Sequence, residues 1–358
     1  MLLEDSMIRS FCYDVNPSRI VFGRGAVTHV ADEIARLGRK RALILATPFQ
    51  KIEAARLAEQ IGMAAAGIFA GAVMHTPVGV TKDALAAFIN CDADCVVSFG
   101  GGSTIGLGKA IAWRNDVPQV VVATTYAGSE VTPILGETED GLKTTKRDRR
   151  ILPETVIYDP ELTIGLPIAM SVVSGLNAMA HAVEALYAQD RNPISSLQAI
   201  EGIRALKIAL PRIVESPTDI DARSCALYGS WLCGTVLGTV GMALHHKLCH
   251  TLGGSFDLPH AETHAVILPH SVAYNAKASA EELAPVVELF GSSAGGGLYD
   301  FAVSIGAPSA LKDFGLTETD LEQATDLAVQ NPYWNPRPIE RSAIRMLLQN
   351  AWAGIRPQ

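Results

Sequence analysis

Residues 95–104 read CVVSFGGGST. The valine-rich apolar run 95–99 is a buried strand, three glycines stop it, and a helix opens at about Thr104. The same alternation continues on both sides. RALILA (41–46) reads as a buried strand, followed by an amphipathic helix from Lys51 to Ile61. A second helix spans Thr81 to Ile89, with Thr81 as its cap. QVVVA (119–123) and TVIY (155–158) are further strands. Strands and helices in series predict a Rossmann-like, doubly wound parallel sheet. The texture changes at Leu166-Pro167, because proline starts a helix well and cannot sit inside one. Beyond it Met170–Ala188, Ser195–Ile213, Ile220–Cys233 and Glu281–Phe290 all read as helices. The expectation is an α/β domain over residues 1–166 and an all-α domain over 167–358, with the site in the cleft between them.

A strand running into glycines and a helix N-terminus suits a phosphate. Bare N–H groups and the positive helix end face the ligand, and no Cβ blocks its approach. Gly101, Gly102 and Ser103 are therefore candidate cofactor residues, although a tight structural turn explains the same residues. The next strand ends in TTYAGSE (124–130). Thr124, Thr125 and Ser129 would border the same crevice, and Tyr126 could assist the chemistry from this turn; Ser129 also reads as a helix cap. After the first strand, Thr47 stands where an acid would read the ribose of NAD. NADH is thus the expected cofactor, with NADPH accepted as well.

Nine histidines are present, and six of them fall between His245 and His270. His246 and His250 share a helix face, as do Asn177 and His181 upstream. His260 follows a Gly-Gly break and Pro259, as if a second segment returned to the same place. Any single histidine is more often structural, but a cluster is costly to bury without a reason. Two readings stand: a metal site, or an acid–base and anion-binding site.

The chain of 358 residues is 48% hydrophobic and carries a formal net charge of −8, which supports two cores and argues against nucleic acid as a partner. Six scattered cysteines form no CxxC pair and read as free thiols in a reducing compartment. The N-terminus lacks a signal-peptide core, and Met7 competes with Met1 as the natural start. No apolar run reaches membrane-spanning length; the richest, Ser230 to Leu244, is broken by glycines. A cytoplasmic protein is expected. The segment Arg19–Phe22 reads as an exposed strand, and an open edge invites pairing between two copies.

Taken together, these residues make the chain resemble the iron-containing alcohol dehydrogenase superfamily over nearly its whole length. The carriers are Phe22-Gly23-Arg24-Gly25-Ala26, Gly100-Gly101-Gly102-Ser103, Thr124-Thr125, Ser129-Glu130-Val131-Thr132, Asp159-Pro160-Glu161-Leu162-Thr163, the helix bearing His181, and the run from His246 through His250 and Pro259-His260 to Leu268-Pro269-His270. The turn TTYAGSEVT, the stretch GLKTTKRDRRILP and Asn177 make it most similar to the branch that reduces maleylacetate.

The resemblance implies a dehydroquinate synthase-like architecture, a homodimer, and NAD(P)H-dependent reduction of the conjugated C=C of maleylacetate to 3-oxoadipate in aromatic-compound degradation. The alternative is a metal-dependent alcohol or polyol dehydrogenase. Family members of that kind hold their ion through an Asp and three His. Here the matching positions are Asn177, His181, His246 and His260, and Gly106 replaces an Asp near the nicotinamide. An amide is a weak neutral ligand, so no metal is expected. His246, His250, His260 and His181 then become candidate donors to an enolate. Asn177, Lys143 and Lys247 are candidates for binding the dianionic substrate, and Lys143 also matches a family lysine beside the cofactor.

Overall fold

The computed structural model describes residues 11–16, 18–140, 142–291 and 293–358; at 142 and 143 it describes the backbone alone. The first part of the chain builds a six-stranded sheet from β1 (Arg19–Phe22), β2 (Ala42–Leu45), β3 (Ala65–Phe69), β4 (Cys95–Gly100), β5 (Gln119–Ala123) and β8 (Thr155–Tyr158). Its order is β1-β8-β5-β4-β2-β3, and every pairing is parallel. β2, β4, β5 and β8 are buried along their whole length. Continuous apolar runs, rather than alternating ones, follow from covering both faces of a parallel sheet.

The covers alternate as strand geometry requires. Ala42 and Ile44 pack with α1 (Val30–Arg36) and α2 (Lys51–Ile61), while Leu43 and Leu45 pack with α3 (Val78–Asn90) and α4 (Gly102–Asn115). β2 lies between β3 and β4, so the strand order reverses at β2 and β4. Ligands bind outside the carboxyl ends of strands at such a switch point. The glycines at 100–102 lie there because β4 ends at Gly100.

Three strands went unread in the sequence: β3 in the sheet, and two that lie outside it. β6 (Ile134–Glu139) and β7 (Leu142–Arg147) form a separate antiparallel ribbon. The basic run 143–150 therefore folds in part as a strand, and its described cations are engaged. Lys146 pairs with Glu137 at 2.8 Å, Arg147 donates to the Gly238 carbonyl, and Arg150 lies over Trp113. Thr81 does not cap α3: Pro77 holds that position and Thr81 lies one turn inside, with its hydroxyl on the Pro77 carbonyl. Ser129 does not cap a helix with its side chain either; Gly128, at φ 78°, is the cap of a short 3-10 turn.

After Tyr158 the described residues form helices only. They are α5 (Ile168–Leu186), α6 (Pro193–Glu215), α7 (Ile220–Thr239), α8 (Leu244–Phe256), α9 (His260–Asn275), α10 (Ala284–Phe290), α11 (Ala294–Ser304), α12 (Asp320–Val329) and α13 (Arg341–Ala353), with short 3-10 turns between some of them. Gly253 and Gly254 stay inside α8; the break comes at Asp257, left-handed at φ 53°, and Pro259. No single helix among the described residues is long and apolar enough to cross a membrane, and α7 and α8 meet at a 96° bend. One apolar cluster joins the halves, with Ile105, Val121, Val156 and Tyr158 packed among side chains of α5, α6 and α7. The cleft is thus set on a rigid seam.

Candidate active site

A cavity of about 600 Å³ lies along that seam. On the sheet side it is lined by Gly102, Ser103, Gly106, Thr125 and Ser129. Gly101 is the N-cap of α4, and a Cβ on it would meet Thr125 at 2.6 Å, so this glycine is required by close packing. A Cβ on Gly102 would meet no protein atom within 4 Å. Gly102 therefore keeps space clear on the cavity side, at a helix N-terminus with free N–H groups.

Thr124 departs from expectation. It is buried, takes a hydrogen bond from Gln50 at 3.0 Å, and does not line the cavity. Gln50 also meets Thr47 at 3.2 Å, so the end of β2 presents two neutral side chains and no carboxylate.

The helical side brings Asn177, His181, His246, His250, His260 and His264 to one wall. α5 carries Asn177 and His181 one turn apart, α8 carries His246 and His250, and α9 begins at His260. The Asn177 amide reaches the Ala127 carbonyl across the seam at 3.5 Å, and its buried Oδ1 has no hydrogen-bond partner among the described residues. Burial first, and then the neighbouring imidazoles, hold the His181 and His264 rings well below the ordinary imidazole range. In both rings that shift favours the neutral imidazole, which can still donate a hydrogen bond through its N–H.

Four participants were missed in the sequence. Glu184, one turn beyond His181 on α5, accepts from His246 Nδ1 at 2.5 Å and from the His245 backbone N–H at 2.7 Å. This fixes the His246 ring and leaves its Nε2 buried and unpartnered in the cavity wall. Its i+3 spacing from His181 was the available signal. His264 hydrogen-bonds His245 through Nδ1 at 2.9 Å and leaves Nε2 unpartnered. Tyr333 meets His250 Nδ1 at 3.0 Å. Lys109 is buried in the cavity floor; burial pulls its pKa down to about 7, while the Ser129, Thr132 and Ile134 carbonyls and the Thr132 hydroxyl surround its ammonium at 2.5–3.0 Å.

Two candidates leave the site. Tyr126 is fully buried and takes a 3.0 Å hydrogen bond from Arg223, which also donates to Ser171 and to the Leu166 and Pro217 carbonyls. It ties the turn to α5 and α7 and is absent from the cavity wall. Lys247 Nζ lies over the Tyr333 ring, 5.9 Å from its centroid, and the residue does not line the cavity. Lys143 has its backbone in β7, and its side chain lies outside the described residues.

The ligand atoms of His181, His246 and His264 all lie within 4.8 Å of one another. Three converging imidazoles with unpartnered nitrogens can hold a divalent ion. His264 thus stands with His181 and His246, and His260, the position matched to the family's third histidine, lies beside it with ring centroids 4.4 Å apart. The fourth position is the uncharged Asn177 amide, so the set fits an ion in shape but offers it no negative ligand.

This architecture and site define a class. The profile of the iron-containing alcohol dehydrogenase family matches residues 17–160, and that of the Fe-containing alcohol dehydrogenase family C-terminal part matches residues 171–352. The chain belongs to this family, which is NAD(P)-dependent. It is 61% identical over 351 residues to the maleylacetate reductase of Rhizobium sp. strain MTP-10005, covering 98% of this chain and 100% of that one. It is 53% identical to the maleylacetate reductase of Burkholderia cepacia, covering 98% and 100%. Among solved structures, the maleylacetate reductase from Agrobacterium tumefaciens superposes with a TM-score of 0.95 at 62% identity, covering 98% of this chain and all of that one.

Proposed function

We propose that this enzyme reduces the conjugated C=C of maleylacetate to 3-oxoadipate, using NADH and accepting NADPH. The observation that carries the reading is full-length identity of 61% to a protein of that name, joined to a site with an amide at position 177. Gly101, Gly102 and Ser103 at the α4 N-terminus would hold the cofactor pyrophosphate, and the cofactor would supply the hydride. Hydride adds to the alkene carbon β to the ketone. The electron pair moves to the ketone oxygen as an enolate, and the α carbon then takes a proton.

His246 is the proposed proton donor. Among the described residues, it alone of the buried trio His181, His246 and His264 has a carboxylate within hydrogen-bond reach, so Glu184 balances the charge of its protonated form. His250 and His260, on the same wall, are proposed donors to the enolate oxygen. The neutral ends of Thr47 and Gln50 lack the carboxylate that would repel the 2′-phosphate of NADPH.

An ion held by His181, His246 and His264 would supply Lewis-acid polarisation of the ketone. The proposed reaction does not require it. Conjugation already delivers the hydride-derived charge to an oxygen faced by imidazole donors, and Asn177 withholds the carboxylate that would anchor an ion. We also propose a homodimer formed through the free edge of β1, acting in the cytoplasm; the absence of disulfides among the described cysteines suits that compartment.

The test is NADH oxidation with maleylacetate beside a panel of aldehydes and alcohols, before and after prolonged chelation, with elemental analysis of both preparations. The expected outcome is selective maleylacetate reduction that survives chelation. Stoichiometric metal whose removal abolishes turnover would make Asn177 a ligand and overturn the metal-free mechanism.

A further inference from the structure

His75 and Thr76, between β3 and α3, both lie in the left-handed region at φ 65° and 45°. A β-branched residue there is an outlier that persists only where its surroundings hold it. Thr138 N–H donates to the Thr76 carbonyl at 3.3 Å, and Pro77 bridges the same residue. Across the cleft, His75 Nε2 stands 3.9 Å from Asp257 at the turn between α8 and α9. The ribbon thus ties down the loop through its backbone, and the helical half approaches it through Asp257.

The strained geometry places the Thr76 side chain on Gly106. A Cβ at 106 would fall 2.4 Å from Thr76 Oγ1, so the hydroxyl fills the volume any side chain there would take. Thr76 lines the cavity. Gly106 lies one turn into α4 from Ser103, between the phosphate end and the imidazoles.

The cavity is short of cations. Among the described lining residues there is no arginine, and the one lysine, Lys109, is surrounded by four oxygens. A dianion bound here must be met by neutral donors and imidazoles. Resting on the proposed function, we infer that Thr76 is a specificity-determining residue: its hydroxyl, held against Gly106 by a left-handed backbone, donates a hydrogen bond to a carboxylate of the substrate. An O–H···O⁻ bond of this kind is among the stronger neutral-donor contacts.

Thr76→Val keeps the shape and removes the donor; Thr76→Ser keeps the donor. Steady-state kinetics with maleylacetate, NADH binding by fluorescence and thermal melting are measured for each. Thr76→Val is expected to raise KM about tenfold, the usual cost of losing one hydrogen bond to a charged group, with NADH affinity unchanged. Thr76→Ser should stay close to wild type. Should Thr76→Val fail to fold, Gly106→Ala displaces the same hydroxyl and should raise KM likewise, a penalty that vanishes when Thr76→Gly is added to both sides of the comparison. A wild-type KM in folded Thr76→Val or Gly106→Ala, or a loss confined to NADH affinity, overturns the inference. Absence of maleylacetate turnover by the unaltered enzyme instead defeats the proposed function, and the inference with it.

Discussion

Gly102 is the cleanest residue at which to probe the cofactor turn, because a side chain there meets ligand space and not protein. Gly102→Val should fold normally and weaken NADH binding by about tenfold or more, through exclusion of the phosphates from the α4 N-terminus. Titration calorimetry checks it, and an unchanged affinity would reduce the turn to a structural role. Asn177 is the second decisive position. Asn177→Asp should retain a divalent ion on elemental analysis and lose about tenfold or more in maleylacetate kcat/KM, because a new carboxylate repels the substrate's own. Full activity in a metal-loaded Asp variant would refute that charge argument. These residues were legible because spacing and residue type alone carry them. Glu184, His264 and Tyr333 were not, because their roles rest on hydrogen bonds between separate segments of the chain, such as the loop residue Tyr333 to His250 on α8.

At the scale of elements, the buried strands and the long helices could be read with limits close to those observed, since continuous apolar runs and 3.6-residue periodicity are strong signals. β3 could not. Its residues AAGIF are small and only partly buried at the sheet edge. The β6–β7 ribbon was equally silent, because Thr, Glu, Lys and Arg dominate its sequence, ILGETE and LKTTKR. The turn after β5 was read as functional along its length, yet Tyr126 serves Arg223. Tyr126→Phe should keep kcat and lose about 1–2 kcal/mol of stability, since a buried guanidinium is left one acceptor short. Denaturant unfolding measures the second quantity. A large fall in kcat without loss of stability would return Tyr126 to the chemistry.

At the scale of the molecule, two layers meet on an apolar seam, and the reacting partners are held by opposite sides of it. The sheet side supplies the glycine turn proposed to hold the cofactor, and the helices supply the imidazoles. The proposed dimer rests on the sheet's open side. Arg19 and Gly23 direct their N–H groups inward to Glu154 and Tyr158, so the groups of Ile20 and Phe22 face outward. Phe22→Pro should therefore shift the protein toward monomer in sedimentation equilibrium while leaving the β8 pairing in place. A monomeric wild-type protein at micromolar concentration would refute the dimer.

The pairing of β1 with β8 also sets a timetable for biosynthesis. Ser18 bonds the Pro153 carbonyl 135 residues further along, and Arg19 pairs with Thr155. A ribosome adding roughly 5–20 residues per second leaves the first strand waiting on the order of ten to thirty seconds for its neighbour. During that interval RIVF is a bare template, with β8 still unmade and the helices that follow it still to come. Nascent chains stalled before residue 155 are thus the species most exposed to misassembly, and the burden on chaperones falls early in translation.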